Sequence, residues 1–163
     1  MSAHVVVVGA GPVGLSAAIL LDRAGVRCTV LERRTEPSRH PKARGIRPRT
    51  MELFAAWGLE DELRREALPA EANRFIYCDS LAGTEIARSP QPDESRSALS
   101  PTSACRVAQD TVEAVLRARV EKADCAELRT GAAVQAVRDE GDHVVVEHDG
   151  QPLRADYVIA ADG

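Results

Sequence analysis

The first thirty-two residues contain a strand, a glycine-rich turn, a helix and a second strand in unbroken order. Four consecutive valines, Val5–Val8, are typical of a buried parallel strand. Three glycines with GxGxxG spacing follow at once: Gly9, Gly11 and Gly14. A stretch with helical periodicity comes next, with Gly25 as its stop signal, and a second strand over Arg27–Leu31 ends in Glu32. This order predicts a βαβ unit that binds a dinucleotide, because each part lies where such a unit requires it.

Each residue of the turn has its own predicted task. Gly9 lets the chain turn sharply off the strand, and Gly14 lets the helix pack closely against the sheet. Gly11 lacks a side chain, so a pyrophosphate can approach the backbone closely. Pro12 fits the first helical turn, whose free N–H groups face the phosphates. The carboxylate of Glu32 can accept hydrogen bonds from a ribose 2′-hydroxyl. An ordinary glycine turn between a strand and a helix is the alternative interpretation.

The composition predicts a globular domain with an aliphatic core. Apolar residues make up 44% of the 163 residues but aromatic residues only 3%, so Val, Leu, Ala and Ile must fill the core. The cysteines lack CxxC spacing and the histidines lack metal-ligand spacing. We therefore expect no metal site, and reduced thiols of a cytoplasmic protein. No signal-peptide pattern and no membrane-spanning apolar run is visible.

Charge is spread unevenly along the chain. The net charge of −4 argues against a general nucleic-acid-binding protein. Between Arg33 and Arg49, however, six arginines and Lys42 occur with a single acid, Glu36. This segment is either a solvated basic loop or a cationic lining around the phosphates of a ligand. Its position directly after Glu32 favours the second interpretation.

Further helices and strands are predicted along the rest of the chain. The helices are one from Pro48 through Trp57 that ends at Gly58, one over Glu60–Ala67, and one capped by Asp110 with Glu113 as capping-box partner. The strands are Arg74–Cys78, Glu85–Arg88, Ala132–Val137, His143–His148 and the buried Tyr157–Ala160, with a hairpin turn at Asp149-Gly150. Residues 79–103 are rich in Ser, Pro, Asp and Gly and are predicted to be mainly loop.

Several stretches of this sequence occur together in one known family. They are the Gly9–Gly14 turn, the Leu31–Arg34 strand end, Lys42–Phe54, Gln109–Glu113 and Asp156–Gly163. Together they resemble the FAD-dependent aromatic monooxygenases of the para-hydroxybenzoate hydroxylase fold. The branch that hydroxylates polyketides and related phenolic compounds is the most similar. The resemblance runs over the whole chain, which covers well under half of a family member.

The resemblance implies an α/β fold that is incomplete relative to the family. Residues 1–72 would form the Rossmann-like FAD-binding βαβ unit, with its parallel sheet and the following helices. Residues 73–103 would supply strands and a loop of the substrate-domain sheet. Residues 104–163 would hold a return helix, an antiparallel β-meander and the last sheet strand of the FAD-binding domain. Family members carry a second flavin motif, a Gly-Asp pair, beyond the position of Gly163.

The resemblance also assigns cofactor contacts at the first βαβ unit. The residues that would hold the FAD pyrophosphate are Gly9, Gly11, Pro12, Val13 and Gly14. Glu32 would bind the adenosine ribose, and Arg33 would lie along the adenine. These assignments fall on the same residues that the spacing alone singles out as a dinucleotide site.

Three further assignments lie outside this unit. Arg44 would sit near the pyrophosphate and the approach of the nicotinamide donor, and Gln109 would contact the ribityl chain. Family members commonly have proline before that glutamine, where this chain has Ala108. Asp162, followed by Gly163, matches the start of a motif linked to flavin and NAD(P)H binding. Taken singly, these residues can also be a surface arginine, a helix-start residue and a turn.

The resemblance implies hydroxylation of a small aromatic substrate with FAD, NAD(P)H and O₂. The chemistry belongs largely to the cofactor, and no Ser/His/Asp or Cys/His arrangement is visible, so we name no catalytic residue. We expect this chain to bind the ADP half of FAD without turning over substrate by itself. Two alternatives stay open: the FAD-binding part of another oxidoreductase, such as a dehydrogenase or amine oxidase, and a non-enzymatic dinucleotide-binding module.

Overall fold

The computed structural model describes residues 3–37, 42–69, 72, 74–90 and 99–163. Helices and strands follow one another there in the predicted α/β order. The strands are β1 (His4–Val8), β2 (Arg27–Glu32), β3 (Ile76–Cys78), β4 (Glu85–Arg88), β5 (Ala126–Thr130), β6 (Val134–Asp139), β7 (Val144–His148), β8 (Gln151–Ala155) and β9 (Tyr157–Ala160). The helices are α1 (Pro12–Arg23), α2 (Pro48–Ala56), α3 (Glu60–Arg65) and α4 (Gln109–Val120). The chain divides into two compact units, residues 1–40 with 112–163, and residues 41–111.

The first unit is built on a four-stranded parallel sheet with the order β5-β2-β1-β9. β1 lies inside the sheet, where Val6 pairs with Thr29 of β2 and with Val158 of β9. Val5, Val6 and Val7 are buried, because an inner parallel strand is covered on both faces. The run of valines is thus the buried parallel strand that the sequence predicts.

Glycine ends the helices where the sequence places their stop signals. At the end of α2, Gly58 has a φ of +77° and its N–H donates to the Ala55 carbonyl at 3.0 Å. The Leu59 N–H donates to the Phe54 carbonyl at 2.9 Å, and Leu59 is buried. This is a Schellman motif, which needs a residue that tolerates positive φ. α1 ends in the same way at Gly25.

An antiparallel meander of β6, β7 and β8 completes the first unit. Asp149 and Gly150 connect β7 to β8 with φ values of +50° and +74°, as expected for the Asp-Gly hairpin turn. Val146 of β7 is fully buried in a hydrophobic cluster with Val6 and Leu31. The meander therefore packs its inner face on the parallel sheet.

The second unit combines α2, α3 and a two-stranded hairpin of β3 and β4. Arg64 of α3 holds the returning segment, since its Nη2 donates to Thr102 Oγ1 at 2.8 Å and to the Ser103 carbonyl at 3.0 Å. Its Nε donates to Glu60 Oε1 at 2.8 Å. The hairpin differs from this packed part because every residue of β3 and β4 is exposed.

Besides shifts of one or two residues in element bounds, the structure differs from the sequence-based prediction at three points. β5 is absent from the prediction, because AELRT is short and three of its five residues are polar. It pairs with β2 at the edge of the sheet. Tyr157–Ala160 is an edge strand rather than a buried one, and Tyr157 is 64% exposed. α4 begins at Gln109, so Asp110 lies inside the first turn and accepts the Thr111 N–H at 3.0 Å.

The structure also bears on the cysteines, on metal binding and on membrane-spanning helices. All four cysteines are free, and burial raises the pKa of the Cys28 thiol to about 11, so this thiol stays protonated near neutral pH. No group of His, Cys, Asp or Glu in the described ranges is arranged to hold a metal ion. None of the helices seen in those ranges is long and apolar enough to cross a membrane. Residues 91–98 of the predicted loop, and Arg39 and His40 of the basic segment, fall outside the described residues.

Asp22, near the end of α1, is expected to contribute pH-dependent stability. Its side chain, 8% exposed, accepts the Asp124 and Cys125 N–H groups and pairs with Arg119 at 3.1 Å. Burial raises the pKa of Asp22, but the Cys125 N–H, Arg119 and the Asp124 N–H together hold it below its usual value. This contribution is present above pH 4 and is lost as the pH falls through the lowered pKa.

The Asp22→Ala variant should lose about 1–3 kcal/mol at pH 7, because three donors lose their acceptor. Urea unfolding at pH 7 and pH 3 measures both effects, with Asp61→Ala on the exposed face of α3 as the control. We expect the difference between Asp22→Ala and the unaltered chain to shrink at pH 3. An equal difference at both pH values would contradict the assigned role.

Candidate functional site

The carboxyl ends of β1, β2 and β9 lie at one edge of the parallel sheet, and the glycine turn leaves the sheet there. The Gly9 N–H donates to the Leu31 carbonyl of β2 at 2.8 Å. The Ala161 N–H, directly after β9, donates to the Val8 carbonyl at 2.8 Å. Gly9 has a φ of +99°, in the left-handed region that favours glycine. Backbone hydrogen bonds with both neighbouring strands thus hold the turn in place.

Two of the three glycines are required by close backbone contacts within the chain. A Cβ on Gly9 would lie 2.6 Å from the carbonyl oxygen of Ala161. A Cβ on Gly14 would overlap the carbonyl oxygen of Gly9 and lie 3.4 Å from Val7 Cγ1. These oxygens belong to fixed backbone, so neither can move aside as a flexible side chain does. The close packing predicted for Gly14 is present. Gly9 must be glycine for two reasons, its positive φ and the close approach of the backbone that follows β9.

Gly11 differs, because it faces open space. No atom of the described residues lies within 4 Å of a Cβ built on it. Its φ of −75° and ψ of −177° are accessible to any residue. Gly11 is the N-cap of α1, where no described side chain caps the helix and no acid lies in the first turn. The free N–H groups and positive end of the helix dipole therefore have no side-chain partner there, which suits a phosphate ligand.

Glu32 lies half-buried at the end of β2, and its carboxylate contacts the turn. Oε2 accepts the Ala10 N–H at 2.8 Å, and Oε1 accepts the Arg34 N–H at 2.9 Å. Each carboxylate oxygen has a second lone pair, so a ribose hydroxyl remains compatible with both bonds. Sequence reasoning identified Glu32 but missed Ala10, because a backbone N–H leaves no signal in a residue pattern.

The other predicted residues of the first unit are on its surface. Val13 is 69% exposed on α1, Arg33 is exposed after β2, and the side chain of Asp162 is exposed after β9. The Cα of Asp162 would lie 3.0 Å from a Cβ on Gly9. The structure therefore brings the glycine turn, Glu32 and the Asp162 backbone together at one edge of the sheet.

Arg44 and Gln109 belong to the second unit. A β-bridge joins their segments. The Ile46 N–H donates to the Cys105 carbonyl at 2.7 Å, and the Cys105 N–H donates to the Ile46 carbonyl at 3.0 Å. Arg44 is exposed, and Gln109 is half-buried at the start of α4. This pairing carries no sequence signal, because both partners lie in irregular segments far apart along the chain.

Known proteins are similar to this chain in sequence and in fold. Residues 2–163 match a family described as FAD binding domain. A putative polyketide hydroxylase from Streptomyces halstedii is 37% identical over 98% of this chain and 30% of its own length. Phenol 2-monooxygenase from a Pseudomonas strain is 32% identical over 98% of this chain and 28% of its own length.

A solved structure of a hydroxylase is similar to this chain in fold. Aklavinone-11 hydroxylase, crystallised with FAD and aklavinone, matches with a TM-score of 0.84 and 32% identity. The match covers 99% of this chain and 33% of that one. This chain therefore spans about a third of the length of the relatives that it matches.

Proposed function

This chain belongs to the FAD binding domain family, and from that premise we propose that it forms the ADP-binding part of a flavin-dependent monooxygenase that hydroxylates aromatic compounds. Its relatives include a polyketide hydroxylase and a phenol monooxygenase, which supports an aromatic or phenolic substrate. NAD(P)H would be the electron donor and O₂ the second substrate. We place the protein in the cytoplasm, which its free thiols support.

The observation that carries this proposal is the open face of Gly11. The chain's own packing accounts for glycine at positions 9 and 14 but not at position 11. A glycine that the fold does not need, next to an uncapped helix N-terminus, is what close approach of a pyrophosphate requires. The residues present therefore fit the diphosphate of FAD.

The other proposed FAD contacts in the first unit surround the glycine turn. Gly9–Gly14 would hold the pyrophosphate, with the α1 N-terminus offsetting its negative charge. Glu32 would bind the adenosine ribose through its remaining lone pairs, and Arg33 would lie along the adenine. Arg44, near the pyrophosphate, and Gln109, at the ribityl chain, stay predictions that rest on the family resemblance alone.

The terminal Asp-Gly pair is the remaining predicted contact. Asp162, followed by Gly163, would contribute to flavin binding after β9. When bound, FAD supplies the electron transfer from NAD(P)H to O₂ that hydroxylation requires. The task of the chain's own residues is to bind and orient the cofactor.

Expression of the whole open reading frame that encodes this chain tests the proposal. We expect a yellow protein whose NAD(P)H oxidation rises when a phenol or aromatic polyketide is added. Mass spectrometry should find the product with one added oxygen atom. A bound flavin that oxidises an amine or alcohol without oxygen transfer would instead favour another class of oxidoreductase. A protein without flavin would favour a non-enzymatic module.

A further inference from the structure

The carboxylate of Glu32 binds two backbone segments of the protein itself. One is the glycine turn, where the Ala10 N–H donates to Oε2 at 2.8 Å. The other is the chain just after β2, where the Arg34 N–H donates to Oε1 at 2.9 Å. Hydrogen bonds to an ionised acceptor are shorter and stronger than neutral ones. Glu32 thus fastens the turn between β1 and α1 to the end of β2.

Ala10, whose N–H donates to Glu32, lies in the middle of the glycine turn. It is buried and lies between Gly9, with its left-handed φ of +99°, and Gly11, the N-cap of α1. A turn with glycine on both sides has many accessible backbone conformations when nothing holds it. The bond from Ala10 to Glu32 selects one of them and so sets how the α1 N-terminus is presented.

We propose that Glu32 is a positioning residue that holds the glycine turn in its phosphate-binding conformation, separately from any contact with the adenosine ribose. This inference rests on the proposed FAD-binding function. The Glu32→Gln variant keeps the side-chain size but has a single acceptor oxygen, and its NH₂ group must face one of the two N–H donors. It therefore loses at least one bond of the pair.

Calorimetric titrations with ADP and with 2′,3′-dideoxy-ADP separate the two roles. The dideoxy nucleotide has no ribose hydroxyl for Glu32 to bind, so only the positioning role can act on it. We expect Glu32→Gln to weaken dideoxy-ADP binding about tenfold relative to the unaltered chain, and ADP binding by at least as much, because ADP also loses the ribose contact. Glu140→Gln, on an exposed turn, is the matched control and should weaken neither. A loss confined to ADP would overturn the proposal.

Hydrogen exchange at the Ala10 amide gives a readout that needs no ligand. Exchange should be faster in Glu32→Gln than in the unaltered chain and unchanged in Glu140→Gln. Glu32→Asp, which is one methylene shorter, should behave like Glu32→Gln and replaces it if that variant does not fold. Unchanged protection of Ala10 would overturn the positioning role. An unaltered chain that binds neither nucleotide would contradict the proposed function, while the exchange result would still decide the role of Glu32.

Discussion

Replacement of Gly14 by alanine is expected to destabilise the chain strongly. The new Cβ would overlap the carbonyl oxygen of Gly9, which belongs to a turn fixed by backbone bonds to both neighbouring strands. Overpacking against backbone that cannot move costs about 3 kcal/mol or more. The better helix propensity of alanine returns only about 1 kcal/mol, so the clash decides the sign. Natural domains are stable by roughly 5–15 kcal/mol, so this net loss is severe.

Thermal unfolding followed by circular dichroism measures this effect. Gly45→Ala is the matched control, because a Cβ there meets no atom of the described residues within 4 Å and Gly45 has no left-handed φ. We expect the control to melt with the unaltered chain and Gly14→Ala to melt at least about 5 °C lower or not to fold. Equal melting temperatures for the two variants would show that α1 does not pack on the turn as described.

Replacement of Gly11 by aspartate should separate stability from binding. Position 11 is an open N-cap with extended backbone, where aspartate is a favoured residue and its charge offsets the helix dipole. We therefore expect stability to stay constant or to rise by up to about 1 kcal/mol. The same carboxylate would meet the pyrophosphate at close range, so FAD affinity should fall about 100-fold, or ~2.7 kcal/mol.

The control for this variant is Gly11→Asn. Asparagine has nearly the same shape and is an equally good cap, but it carries no charge. It should match the stability of Gly11→Asp to within about 1 kcal/mol, since it lacks only the charge–dipole contribution. It should lose less FAD affinity, because only its bulk opposes the phosphates. Thermal unfolding of both variants checks the first half of the prediction. A clear loss of stability in both would mean that the face of Gly11 is not open.

Local signals explain why much of the fold was predictable. The run Val5–Val8, the caps at Gly25 and Gly58 and the Asp149-Gly150 turn each need only neighbouring residues, and all are present. β5 was missed because it is an edge strand with mixed polarity, and only its pairing with β2 defines it. Tyr157 was expected to be buried, but among the described residues its strand pairs with β1 on one side only.

The candidate site, too, was predictable only where local sequence determines it. The glycines and Glu32 are visible in the sequence because each needs a particular side chain or the lack of one. The approach of Ala161 to Gly9 and the bond from Ala10 to Glu32 involve backbone atoms of distant segments. Such contacts depend on which strands become neighbours, so a residue pattern cannot record them.

The most direct measurement is a calorimetric titration of FAD into the unaltered chain, Gly11→Asn and Gly11→Asp at one ionic strength. We predict that the unaltered chain binds FAD, that Gly11→Asn binds it less tightly, and that Gly11→Asp binds it about 100-fold less tightly than the unaltered chain. A folded Gly11→Asp variant that binds FAD as tightly as the unaltered chain would contradict this prediction, because the pyrophosphate would then lie elsewhere than at the glycine turn.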